Sequence, residues 1–356
     1  MKKLRSLFIG VIAIILLLTL ALTQLNKKAN TSTNVLNIYN WGDYIDPELL
    51  KKFEKEYGYK VNYETFDSNE AMEAKIKQGG TAYDITIPSE YMIQKMKKEN
   101  LLEPLDHNKI KGLNNLDPRF LNQAFDQNNR YSVPYFWGTL GIVYNDQMIA
   151  PDKIQHWNDL WRPELKNNVM LIDGAREVLG LSLNSLGYSL NTKNKQQLEQ
   201  ATRKLSGLTG NVKAIVADEI KMYMINNESA VAVTFSGVAA DMMAQNKHLH
   251  YVIPPEGSNL WFDNIVIPKT VKNRKGAYDF INFMLKPENA KQNAEYIGYA
   301  TPNKKARALL PKSVSNDPQF YPDDQTLKHL EVYQDLGPKY LGIYNDLYLE
   351  FKMYRK

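Results

Sequence analysis

Residues 35–88, VLNIYNWGDYIDPELLKKFEKEYGYKVNYETFDSNEAMEAKIKQGGTAYDITIP, switch back and forth between two hydrophobic periods, and this switching decides the fold class. VLNIYN (35–40) reads as a buried strand. Asp46-Pro47 supplies an N-cap and a proline at the first helical position, and Gly58 closes that helix. Between them Leu49, Leu50, Phe53 and Tyr57 fall on helical spacing and form one apolar face. Val61, Tyr63 and Thr65 then alternate as a strand does. Asp67 and Glu70 have the spacing of a capping box for a second helix running to Gly79. DITIP (84–88) is a third strand, and SEYMIQKMKKEN opens a third helix. Such a β-α-β-α-β run predicts a mostly parallel sheet with helices on both faces.

Downstream the pattern returns. VMLID (169–173) is a strand, REVLGLSLNSLG a helix ending at Gly187, and VKAIVAD, AVAVTFS and LHYVIPP are further strands. NIVIP (264–268) precedes the helix KGAYDFINFMLK and the proline-started helix PENAKQNAEYIG. The 356 residues suffice for roughly two domains, so the chain reads as α/β with two lobes. Trp157 and Trp161 of HWNDLWRP read as a packed helical face, and Trp137 of PYFWGTLG as packing where the chain crosses between lobes.

Upstream, residues 6–26 carry no charge and contain LFIGVIAIILLLTLAL. At about 1.5 Å rise per residue the whole uncharged segment 6–26 matches the roughly 30 Å hydrocarbon thickness of a bilayer. Lys2, Lys3 and Arg5 precede it; Lys27 and Lys28 follow it. Two readings stay open, an uncleaved membrane anchor and a cleaved leader. Ala21-Leu22-Thr23 matches a small-x-small cleavage site poorly, and a chain with no Cys has no site for lipid attachment, which favours the anchor. Both readings place the protein outside the cytoplasm. Asn26–Asn34 (NKKANTSTN) reads as a polar tether.

The net charge of +5 comes from this leader. Five of the 44 basic residues and none of the acidic ones lie in 1–34, so the remaining 39 basic residues face 39 acidic ones. A formally neutral folded part excludes the basic surface a nucleic-acid binder needs. Phosphate-binding loops, a nucleophile elbow and a cysteine nucleophile are missing, and the five histidines show no HExxH spacing; His248 and His250 read as a surface turn. No cofactor and no metal site are expected.

In open α/β sheets ligands bind beyond the carboxyl ends of the strands. There this sequence places Trp41, Gly42, Asp43 and Tyr44; Ser89 and Tyr91; Gly174 and Glu177; Phe235, Ser236 and Gly237; Trp261 and Asp263; and Gly298-Tyr299. These are rings and carboxylates without basic clusters. A ring face attracts a cation by about 0.5–2 kcal/mol, and a desolvated ammonium needs acceptors. Ammonium groups joined by methylenes would use both, so a small organic polycation is expected. Singly, each residue has a plainer reading: rings as core packing, Asp43 beside the first helix N-terminus, Glu177 paired with Arg176.

The segments YNWGDYIDPELLKKFEKEYG (39–58), YDITIPSEYMIQKM (83–96), PYFWGTLGIVYN (134–145), DGAREVLG (173–180), LWFDNIVIP (260–268) and YIGYATPN (296–303) occur in an order that resembles the polyamine-binding receptors of bacterial ABC importers. The resemblance runs from about residue 35 to 356. It implies a two-lobed periplasmic-binding-protein fold with spermidine or putrescine in the interlobe cleft, and delivery to an ABC permease whose ATPase subunits supply the energy. It implies an aromatic box of Trp41, Tyr44, Tyr91, Trp261 and Tyr299, carboxylates at Asp43, Glu177 and Asp263, and a polar contact at Ser89. Glu177 and Asp263 would hold one end of the ligand, Asp43 with Ser89 and Tyr91 the other. Two departures are Gly174, where relatives can carry an acid that Asp173 or Asp43 would have to replace, and Phe235, where they can carry Trp. The expected lobes are 35–139 with 264–319, and 140–263, with 320–356 assigned to neither and Tyr333 not assigned to the site. A monomer is expected. The alternatives are another small cationic solute on the same fold, or a surface enzyme acting on an amine.

Overall fold

The computed structural model describes residues 34–217 and 219–353, so the expected leader, anchor and tether lie outside the described residues save for Asn34. Among the described residues no helix is long and apolar enough to cross a membrane.

The first lobe opens with β1 (Val35–Trp41), α1 (Pro47–Tyr57), β2 (Lys60–Phe66), α2 (Asn69–Gln78), β3 (Ile85–Thr86) and α3 (Glu90–Lys98). Each helix of the first pair is set by its ends. The Asp46 carboxylate accepts from the Glu48 N–H at 2.9 Å, Pro47 fills the first position, and Gly58 closes α1 at φ 75°. In α2 the cap is Ser68, whose hydroxyl accepts from Ala71 N–H at 3.2 Å, one residue beyond the expected Asp67. Serine caps about as well as aspartate, so the local signal does not separate neighbouring candidates.

β4 (Ser132–Asn145) then crosses the molecule, buried along all fourteen residues. The second lobe holds β5 (Val169–Ile172), α4 (Ala175–Ser185), α5 (Lys195–Ser206), β6 (Val212–Val216), α6 (Ile220–Ile225), β7 (Val231–Phe235), α7 (Ser236–Gln245) and β8 (Leu249–Val252). The chain returns to the first lobe through β9 (Leu260–Val266), α8 (Arg274–Met284) and α9 (Pro287–Ile297).

The strand order is β2-β1-β3-β9-β4-β7-β5-β6, with β8 also on β4. β1 runs parallel to β2 and β3, and β5 parallel to β6 and β7. β9 runs antiparallel to β3 and β4, and β4 antiparallel to β7 and β8. The α/β class and the two packed lobes are as expected. The sheets are not mostly parallel: parallel and antiparallel pairings are equal in number, because both crossing strands run against their neighbours. β4 pairs through Ser132–Thr139 with β9 and through Leu140–Tyr144 with β7, so one strand belongs to both sheets.

Two apolar cores flank the first sheet, one around Leu36, Ile38, Leu49, Phe53, Ile265 and Phe280, the other around Tyr39, Met72, Met92, Ile93 and Phe262. The second sheet has its own pair, around Leu171, Leu179, Leu198 and Val233 and around Met170, Met224 and Met242. Residues 260–263, placed with the second lobe in the sequence reading, pack in the first. The C-terminal stretch divides: Tyr321, Leu327 and Leu330 pack on the first lobe, and Tyr344, Tyr348 and Phe351 of helix Pro338–Met353 are buried in the second. Trp157 is fully buried in a short 3₁₀ turn and donates its indole N–H to Gly257 O at 2.7 Å, a structural role. His250 lies in β8 rather than a turn, and its Nε2 and the Nδ1 of His248 contact the two Asp146 oxygens at 2.8 and 2.9 Å.

Candidate ligand-binding site

The strand ends meet where β4 passes between the sheets. Asp263, on β9, is 7 % exposed, and Tyr44 OH and Ser89 Oγ each donate to one of its oxygens at 2.7 Å. Burial pushes its carboxyl up to about 6 against the pull of those two hydroxyls. No lysine or arginine pairs with it among the described residues. The same carboxylate, with burial, raises the Tyr44 hydroxyl well above the ordinary tyrosine range, so Tyr44 stays a donor.

Rings surround this carboxylate. Trp261, two residues earlier on β9, meets Tyr299 edge-on at 5.1 Å and Phe235 of the second lobe at 6.2 Å, both near perpendicular. Tyr44 contacts Tyr299 at 5.7 Å. The Trp261 indole N–H is buried with no hydrogen-bond partner. Two glycines permit this packing. A Cβ at Gly138 of β4 would fall 2.5 Å from the Trp261 ring, and one at Gly237, at the start of α7, would fall 1.8 Å from the Tyr299 ring. Gly237 thus lets a first-lobe ring rest on a second-lobe helix.

Trp41 ends β1, donates its indole N–H to Ile87 O at 2.9 Å and packs on Phe66 at 4.6 Å. Tyr91 OH accepts from Asn69 Nδ2 at 3.1 Å and donates to Glu70 at 3.3 Å. Ser89 is held from the same side, since Asn69 donates to its hydroxyl at 3.0 Å and accepts from its N–H at 3.1 Å.

Glu177 stands in the first turn of α4, half-buried, and burial raises its carboxyl while Arg176 and the Tyr333 hydroxyl favour the anion. A Cβ at Gly174 would lie 2.1 Å from its Oε2, so the carboxylate occupies the space a side chain there would need. Arg176 makes no ion pair with it among the described residues. The guanidinium instead stacks on Tyr333 at 4.1 Å and donates to Leu190 O, Gln334 O and Asn191.

The structure brings Tyr44, Ser89, Phe235, Trp261, Asp263 and Tyr299 into one cluster, with Trp41, Tyr91 and Glu177 around it. Asp43 is not among them. It is exposed on the turn after β1 at φ 45°, with its charge facing Tyr63, while Ser89 bonds Asp263 instead. Asp173 does not stand in for an acid at Gly174, because Tyr348 and Lys352 of the C-terminal helix hold both its oxygens.

Asn69 and Glu90 lie beside Ser89 and Asp263 and were missed; Tyr333, singled out but left unassigned, faces Glu177 and Glu90. Asn69 follows β2, a strand end left out of the reading above, and the rule about strand ends extended to β2 finds it. Glu90 sits between two residues that were selected and reads as an ordinary first-turn acid. Tyr333 arrives from a segment with no strand pattern.

The bacterial extracellular solute-binding protein family model matches residues 48–322. The spermidine/putrescine-binding periplasmic protein of Salmonella typhimurium is 42 % identical over 328 residues, covering 92 % of this chain and 94 % of that protein. The putrescine-binding periplasmic protein SpuD of Pseudomonas aeruginosa is 33 % identical over 91 % of this chain and 94 % of its own length. A crystal structure of the spermidine/putrescine ABC transporter substrate-binding protein PotD from Streptococcus pneumoniae, with calcium and HEPES, superposes with a TM-score of 0.84 at 65 % identity, covering 91 % of this chain and all of that one. By model match, identity and coverage, the chain belongs to the bacterial extracellular solute-binding proteins.

Proposed function

We propose that this protein is an extracytoplasmic receptor that captures a polyamine, spermidine or putrescine, and delivers it to an ABC permease and its ATPase subunits. The observation that carries the reading is Asp263: a buried carboxylate held by two hydroxyls, walled by Trp261, Tyr44 and Tyr299, and paired with no protein cation among the described residues. A carboxylate in that setting is stabilised by an external cation, and ring faces suit the methylenes and charge of an alkylammonium. The names of the relatives support the same ligand class. Trp261 and Trp41 would stack on the methylene chain, Asp263 with Ser89 and Tyr44 would hold one ammonium, and Glu177 with Tyr91 would hold another. The contacts come from both lobes, so the ligand favours the closed arrangement over any open one.

The protein acts as a receptor and not an enzyme in this reading. Export is supported by the apolar segment 6–26 and by the relatives, and anchoring through that segment, with a monomeric receptor, is part of the proposal. Calorimetric titration of the full-length chain in detergent with spermidine, putrescine and cadaverine tests it. Micromolar or tighter binding of one amine, about 8 kcal/mol or more, is expected. No heat with any of them would remove the polyamine reading.

A further inference from the structure

Glu90 is a fully buried acid that the site described so far does not use. It is the first residue of α3, between Ser89 and Tyr91, and its exposure is 0 %. Oε2 accepts from the Phe262 N–H at 2.9 Å, next to Asp263 on β9. Oε1 is buried and has no partner. A buried acceptor left so is costly unless a donor reaches it. Phe262 N–H alone could be satisfied by a neutral amide, so the carboxylate is not required for packing.

The groups facing Glu90 come from every element around it: Asp263 from β9, Arg176 from α4, Tyr333 from the C-terminal stretch and Tyr91 from its own helix. Arg176 is the only cation among them, and it is engaged by Asn191, two carbonyls and the Tyr333 ring rather than by Glu90. The Tyr333 hydroxyl faces both Glu177, whose anion it favours, and Glu90. Glu90 thus lies between Asp263 on one side and Tyr333, which faces Glu177, on the other, with its Oε1 unpartnered.

We propose that Glu90 is a further carboxylate of the cation site, its Oε1 accepting an N–H of a bound alkylammonium while Oε2 keeps the Phe262 N–H. This rests on the cation-binding reading above and adds a specificity-determining residue to it. Burial raises its carboxyl to about 8, against the pull of the Phe262 N–H and its own N–H, so it holds a proton at neutral pH. An arriving ammonium favours the anion, and the proton passes to solvent as the ligand N–H takes its place. Asp263, at about 6, is already mostly ionised at pH 7.5 and releases little.

The test is titration of the full-length receptor with spermidine and with putrescine at pH 7.5, in buffers of different ionisation enthalpy, for wild type and Glu90→Gln. Wild type is expected to release between half and one proton per ligand. Glu90→Gln, which keeps an acceptor for Phe262, is expected to lose that release and to bind at least tenfold more weakly with an unchanged melting temperature. Wild-type binding without proton release would overturn the inference, and this arm stands even if the variant fails to fold. An affinity loss in the variant with proton release intact would also overturn it, as would unchanged affinity. Failure of wild type to bind either amine would instead remove the underlying cation reading.

Discussion

Asp263 is the residue on which the proposed cation site turns: each of its oxygens accepts from one hydroxyl, and no lysine or arginine pairs with it among the described residues. Asp263→Asn should weaken polyamine binding at least tenfold, about 1.4 kcal/mol, and Trp261→Ala should do the same by removing a ring face; calorimetry reads both. The pH dependence follows from the direction of the shift. With the carboxyl near 6, about nine-tenths is ionised at pH 7 and about one-tenth at pH 5, so Asp263 alone should lower affinity roughly tenfold between them, read in Glu90→Gln, where the other titrating carboxyl is removed. An affinity that is flat over that range would show that Asp263 does not meet the ligand's charge. The residues of this cluster were largely legible because strand ends are marked in the sequence by period changes. Asp43 stands outside the cluster on a left-handed turn that a Gly-Asp pair does not announce. Asn69 bonds Ser89 and Tyr91 from the end of β2, a strand end the sequence reading left out, and Glu90 reads as an ordinary first-turn acid because burial leaves no spacing signature.

Among the elements, helices were easier to read than strands. α1 carries its own start, face and stop, whereas β3 is reduced to Ile85–Thr86 and β9 begins four residues before the expected NIVIP. Trp261 and Asp263 therefore sit within a strand rather than beside one. Strand direction was misjudged for a related reason: local period is identical in parallel and antiparallel strands, and the partner is set by long connections. The close approach of the 298–299 turn to α7 yields an element-level prediction. Gly237→Ala puts a methyl into the Tyr299 ring, so Tyr299 must withdraw and the lobes cannot seat as they do here. Polyamine affinity should drop tenfold or more while the melting temperature of the ligand-free protein changes by only a few degrees. Small-angle scattering with saturating ligand should then show a larger radius of gyration than wild type. Equal radii would mean that the contact is incidental.

For the whole molecule, two lobes were foreseeable from two α/β runs, but their joining was not. β4 shares its hydrogen bonds between both sheets, and the C-terminal stretch starts on one lobe and ends as a helix on the other. That helix belongs to the second core: Phe351 is 4 % exposed, and Phe351→Ala should cost about 3–5 kcal/mol, read by denaturant unfolding. A loss below about 1 kcal/mol would detach the helix from the core. The return of the chain through β9 also governs the order of assembly. β3 and the first half of β4 have no partner between them until Leu260–Val266 is available. A chain threaded across a membrane amino end first thus presents an unfinished first sheet with an open seam, while the strands of the second sheet, all between Leu140 and Val252, can pair before β9 arrives and lack only the C-terminal helix of their core. Long-range strand pairing is slow and exposes sticky edges meanwhile. Translocation should accordingly yield an intermediate with the strands of the second sheet protected and the first lobe still protease-sensitive, and a substitution that weakens β9 should lower the yield of secreted protein more than it lowers the stability of what does fold.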